Sequence, residues 1–110
     1  MDYRLAQLAY RAKVRSLAKG FEYDIDPEYV KELYEMQDGK CCVSGRTFSC
    51  DESEYRVNPD AVSLDRIIPK LGYTKGNLRL VTWQVNCAIS EFGLDNFLSI
   101  CQDAIDFNRG

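Results

Sequence analysis

Histidine is absent from this chain. A zinc site would have to be assembled from thiols and carboxylates, with no imidazole to complete it. The five cysteines, Cys41, Cys42, Cys50, Cys87 and Cys101, form no Cys-x-x-Cys pair. An odd, irregularly spaced set argues against a secreted disulfide scaffold and for reduced thiols. Zinc would need Cys41 or Cys42, Cys50 and Cys87 to converge, and it is not expected. Long apolar runs are also missing, which predicts that no helix spans a membrane. Residues 1–7 lack the apolar stretch of a signal peptide, which predicts an intracellular protein. There is no internal repeat and no low-complexity segment.

What the chain does contain is enough for one small core. Of 110 residues, 45% are hydrophobic and 12% aromatic. A chain of this length buries only roughly two-thirds of its unfolded surface, so limited stability is expected. The formal net charge of −3 conceals an uneven distribution. Residues 1–20 carry Arg4, Arg11, Lys13, Arg15 and Lys19 against Asp2 alone. Residues 21–39 carry seven acids against Lys31, and residues 66–79 carry Arg66, Lys70, Lys75 and Arg79 with no acid. Two basic surfaces flanking an acidic one can meet phosphates locally, although the net charge argues against non-specific coating of nucleic acid.

Periodicity predicts a basic N-terminal helix or arm over 1–20, with Leu5, Leu8, Ala9, Ala12 and Leu17 as an incomplete apolar stripe. Arg11 and Arg15 lie in this segment. They either form a solvated face or contact a nucleic-acid backbone. Asp26-Pro27 is a helix start, with Asp26 as N-cap. Tyr29, Val30, Leu33 and Tyr34 then form one apolar face up to Gln37. Residues 41–48 read as a short strand and turn, and 49–60 as a polar loop. Residues 61–68 read as a strand ended by Pro69, and 77–81 as a second, half-buried strand. A helix is expected from Thr82 to about Phe92, burying Val85, Ala88, Ile89 and Phe92. A last helix from Leu94 to about Phe107 carries a packing stripe of Leu94, Phe97, Leu98, Cys101, Ala104 and Ile105. The expected class is α+β, a hairpin-plus-helix (ββα) core over about 61–93 within a single domain of residues 21–110, flanked by helices.

The stretch Ser63–Asn86 holds the most chemistry. Asp65 is either a ligand-bearing carboxylate or the partner of Arg66 or Arg79. Tyr73 follows Gly72 and can simply cap the hairpin, and Lys75 and Arg79 can be solvated charges. Trp83 can stack on a base or belong to the core.

The combination Gln37-x-Gly39-x-Cys41, Gly45, Asp65-Arg66-Ile67-x-Pro69, Gly72-Tyr73, Gly76-Asn77-x-Arg79-Leu80-Val81 and Asn86 resembles the HNH, or His-Me finger, endonucleases over residues 37–93. The likeness is to phage and bacterial members without paired zinc-binding cysteines. Ser44 stands where zinc-binding members carry the second cysteine of their first pair. The resemblance implies a ββα-metal fold and hydrolysis of DNA, or of RNA, with one Mg²⁺ or Mn²⁺ ion. Asp65 and Asn86 match the metal ligands, and Asn77 matches the asparagine that orients the catalytic loop. Arg66 occupies the position of the catalytic histidine. Arginine stays protonated, so it cannot readily act as a base. Tyr73, Lys70 or a carboxylate of the 51–60 loop would have to serve, or metal-bound water would need no strong base. Arg66, Lys70, Lys75 and Arg79 would contact phosphates, as would Arg11 and Arg15. A phage-encoded protein in a bacterial host fits the likeness. The rival expectation is a catalytically degenerate module that binds nucleic acid, or a basic protein partner through the acidic 22–38 surface. A cysteine-based redox or zinc protein is a third reading.

Overall fold

A computed structural model of the chain describes residues 1–51 and 56–110. In chain order the elements are α1 (Asp2–Lys19), α2 (Pro27–Met36), β1 (Val62–Arg66), a single 3₁₀ turn (Pro69–Leu71), β2 (Leu78–Thr82), α3 (Trp83–Ile89) and α4 (Leu94–Arg109). This is a small α+β fold. The two strands form an antiparallel hairpin in which Ser63 faces Val81, Leu64 faces Leu80, and Asp65 faces Arg79. Among the described residues no helix is long and apolar enough to cross a membrane.

Local sequence explains the helix ends. Gly20 closes α1 in the left-handed conformation (φ 74°) and donates its N–H to the Ser16 carbonyl. The Asp26 carboxylate accepts from the Tyr29 N–H, and Pro27 takes the first helical position, where no N–H is required. Thr82 caps α3 by accepting from the Val85 N–H.

The core lies between α1 and α2 on one side and the hairpin with α3 on the other. Leu5, Ala9 and Ala12 of α1, Val30 of α2, Cys41, Phe48, Leu80, Val81, Val85 and Ile89 are all buried. Small side chains at Ala9 and Ala12 let α1 approach closely, so α1 is part of this core. β2 is buried on both faces, through Leu78 and Leu80 on one and Val81 on the other. Its outer edge is covered by a side chain. The Gln37 amide donates to the Leu80 carbonyl at 2.8 Å and accepts from the Leu80 N–H at 3.0 Å.

Three expectations are revised. Residues 41–48 do not pair as a strand; Lys40 and Thr47 make one isolated bridge around the turn. The helix expected to reach Phe92 stops at Ile89, because Ser90 takes φ 49° and turns the chain toward α4. Phe92 is consequently 68% exposed, and Ala88 is exposed as well. Finally, the stripe on α4 is only partly covered. Leu94 and Phe97 pack against the core, whereas Leu98 and Ile105 stay about half exposed. In the expected 49–60 loop, Glu52, Ser53, Glu54 and Tyr55 lie outside the described residues.

Candidate active site

Strand alternation sets the site. Ser63 and Asp65 point to one face of β1, and Leu64 and Arg66 to the other. α3 packs across the hairpin and brings Asn86 to Ser63, whose hydroxyl accepts from the Asn86 Nδ2 at 2.7 Å. That bond leaves the amide oxygen Oδ1 of Asn86 unengaged among the described residues. Asp65 is nearly buried and forms an ion pair with Arg79 directly across the hairpin, Nε to Oδ2 2.7 Å. The two side chains are 10% and 16% exposed, so this pair is shielded from water on most sides. One carboxylate oxygen, Oδ2, is taken by the arginine; Oδ1 has no such partner among the described residues.

One residue makes three of the bonds that tie down the loop between the strands. Asn77 is 6% exposed. Its Oδ1 accepts from the Ile68 N–H at 2.9 Å, and its Nδ2 donates to the carbonyls of Ile68 (3.0 Å) and Gly72 (2.7 Å). Gly72 has φ 72°, and a Cβ there would sit 2.5 Å from the Glu22 carbonyl oxygen. This tight approach allows a parallel bridge in which the Tyr73 N–H donates to Glu22 and the Asp24 N–H donates to Tyr73. Farther along, the Lys75 N–H donates to Asp24 Oδ1 and the Gly76 N–H to the Tyr29 hydroxyl, both at 2.8 Å.

Held this way, Tyr73 forms one wall of an aromatic cage around Arg66. The guanidinium lies 4.5 Å from the Phe21 ring centre and 5.3 Å from that of Tyr73. Such contacts favour the cation. Arg66 also donates to the Pro69 carbonyl at 3.0 Å. From α1, Arg15 donates to the Tyr73 hydroxyl at 3.4 Å. A cavity of about 520 Å³ opens among these groups, and Arg15, Asp65, Arg66, Lys70, Tyr73 and Asn86 all line it.

Six of the residues singled out from the sequence therefore share one cavity. Asn77 stands behind it and holds its loop. Arg79 sits across the strand with Asp65, Lys75 lies beside Tyr29 at 5.9 Å from its ring centre, and Arg11 lines a neighbouring recess. Asp60, from the polar loop, is engaged by Gln84 and Arg46. Two residues that sequence reasoning missed are Phe21 and Ser63. Ser63 was accessible in principle, being two positions from Asp65 and so on its face. Phe21 carried no local signal, because its partners are distant in the chain.

Among the described residues no three Cys, Asp or Glu side chains gather as metal ligands. The Cys41–Gly45 turn nonetheless keeps a thiol-centred geometry. Cys41 Sγ accepts from the Ser44 N–H at 3.5 Å, and Gly45 has φ 74°. Burial raises the Cys41 thiol pKa, but hydrogen bonds from Ser44, Thr82 and Val43 outweigh it, and the net shift is downward. Burial pushes the neighbouring Cys42 thiol up, despite Arg79 nearby.

No family model, no curated protein and no solved structure matches the chain.

Proposed function

We propose that the protein is a divalent-metal-dependent endonuclease of HNH type that hydrolyses DNA phosphodiester bonds. The observation that carries this reading is the convergence of Asp65, Arg66, Lys70, Tyr73 and Asn86, from strand, loop and helix, on one cavity. The donor chemistry fits a hard cation. One carboxylate and one amide oxygen, supplemented by water, suit Mg²⁺ or Mn²⁺. Asp65 and Asn86 would hold the ion through their unengaged Oδ1 atoms. Bound there, it would supply Lewis-acid charge and lower the pKa of water.

The chain's own residues do the rest. Arg66, held in its aromatic cage, offers fixed positive charge to a phosphate without reorganising. Lys70 adds a second, mobile charge. Arg15 donates to the Tyr73 oxygen, so the Tyr73 O–H is free to point into the cavity and donate to a phosphate oxygen. Asn77 fixes the loop that carries Lys70 and Tyr73 relative to Asp65 and Arg66 on β1. Arg79 neutralises part of the Asp65 charge, which limits how strongly a cation is drawn there. That feature favours a second reading, a degenerate module that binds DNA without cutting it.

Supercoiled-plasmid nicking separates the two. Purified protein is expected to nick in Mg²⁺ or Mn²⁺ and not in EDTA, and Asn86→Ala is expected to abolish nicking while leaving the circular dichroism spectrum unchanged. No cleavage in either metal by folded protein would refute the nuclease reading and leave the binding module.

A further inference from the structure

Two more recesses open near the candidate active site, one sharing walls with it and the other sharing Trp83 with the first. The first, about 440 Å³, has Arg15, Tyr73 and Asn86 in common with the active-site cavity and adds Arg11 and Trp83. The second, about 530 Å³, meets the first at Trp83 and adds Arg56 and Pro59. Together they make one trough. It runs from Lys70 and Arg66, past Arg15 and Tyr73, to Arg11, Trp83 and Arg56. Among the described residues its acidic lining is limited to Asp65, paired with Arg79, and Glu91. Arg11, Arg15, Arg66 and Lys70 have no carboxylate partner among the described residues. Trp83, the chain's one tryptophan, is 42% exposed in the middle of this path.

We propose that the trough binds a single strand of DNA, with a base stacked on Trp83 and phosphates on Arg11, Arg15, Arg66 and Lys70, so that the strand passes Asp65 and Asn86. Shape favours a single strand. Duplex DNA is read by elements that protrude into a groove. Here the cations and the indole line recesses, each within the ~300–1,000 Å³ range of pockets that enclose a small ligand. Unstacked bases enter such recesses, and interleaved cations and aromatics are the usual platform for a single strand. Charge complementarity follows from the row of unpaired cations. The choice of DNA, and its cleavage, rests on the nuclease reading above; the binding path rests on the trough.

The test is binding in EDTA, read in two ways. A single-stranded deoxyoligonucleotide of about ten nucleotides, within the usual site size, is titrated into the protein while Trp83 emission is followed. The same strand carrying a dye, its duplex and its RNA counterpart are compared by anisotropy. Quenching of Trp83, and tighter binding of the single strand than of the duplex, are expected. Trp83→Ala is expected to weaken anisotropy-detected binding on the order of ten-fold, with Trp83→Phe restoring most of it. Arg11→Gln is expected to reduce the slope of log affinity against log salt by about 0.7. Preference for the duplex, no quenching, or a Trp83→Ala protein that is folded and binds normally would each overturn the proposal. Tighter binding of the RNA strand would overturn the assignment to DNA. Metal-dependent nicking without single-strand preference would sink the trough and spare the nuclease. Single-strand binding without cleavage in any metal would do the reverse.

Discussion

Replacing Asn77 by alanine removes three hydrogen bonds at once. The partners are the Ile68 N–H, the Ile68 carbonyl and the Gly72 carbonyl. Ile68 is partly exposed, so water can replace some of what its backbone loses, whereas Gly72 is buried. A net hydrogen bond contributes about 1 kcal/mol, and a buried group left unsatisfied costs about 1–3 kcal/mol. The loss is therefore expected at about 2–4 kcal/mol, a large share of the roughly 5–15 kcal/mol typical of a domain. For a chain of this size each kcal/mol moves Tm by about 4–8 °C, so the expected drop is about 8–30 °C. Urea titration followed by Trp83 fluorescence measures it. Asn77→Asp adds a sign test. It keeps the acceptor for Ile68 but sets a carboxylate against two carbonyls, so its folded pKa rises above the unfolded value. The damage is then greatest above that folded pKa and eases as pH falls through it, when the protonated acid regains one donor. A change under about 0.5 kcal/mol for Asn77→Ala, the level of an ordinary surface substitution, would refute the view that this side chain holds the loop.

Breaking the Asp65–Arg79 pair by Arg79→Ala leaves a nearly buried carboxylate uncompensated and is expected to cost about 3–5 kcal/mol. Asp65→Asn in the same background should recover part of that in a double-mutant cycle, and strict additivity would show the pair is not coupled. Gly72→Ala meets the Glu22 carbonyl and an unfavourable φ, for an expected loss of at least about 2 kcal/mol; a fully stable Gly72→Ala protein would show that the Tyr23–Tyr73 bridge tolerates a shift. Cys41 carries a pH signature. Its folded pKa lies below the ordinary thiol value, so the folded state releases its proton first. Its contribution to stability is absent at low pH and grows as pH rises from the folded pKa toward the unfolded one. The stability difference between the native protein and Cys41→Ala should widen on going from mildly acidic to alkaline buffer, and a flat difference would contradict the downward shift.

Features resting on local chemistry were readable in the sequence. Asp26 caps the helix it was expected to cap. The positions of β1 and β2 followed from alternation and Pro69. The grouping of Asp65, Arg66 and Asn86 was expected only through resemblance, since no local rule links a strand to a helix so far along the chain. The ion pair of Asp65 was one of two alternatives, and only the strand register selects Arg79 over Arg66. The cage made by Phe21 depends on a turn after α1 folding back to Tyr73. Periodicity extended α3 to Phe92, because an apolar residue at the right spacing continues a helical pattern even where Ser90 breaks the backbone. The same rule marked α4 as a packing stripe, although spacing reports a face and not what covers it.

The Gln37 amide has a consequence beyond fastening α2 to the hairpin. A two-stranded sheet exposes a row of backbone donors and acceptors on each side, and such rows recruit strands from other molecules. By offering one donor and one acceptor to Leu80, with the Cys42 N–H adding a bond to the same carbonyl, Gln37 behaves as a strand one residue long. It ends the sheet at β2 with a side chain, which cannot be extended. Strand addition is then left to β1, the strand that carries Asp65, so a strand docking there would meet the candidate site on the same edge.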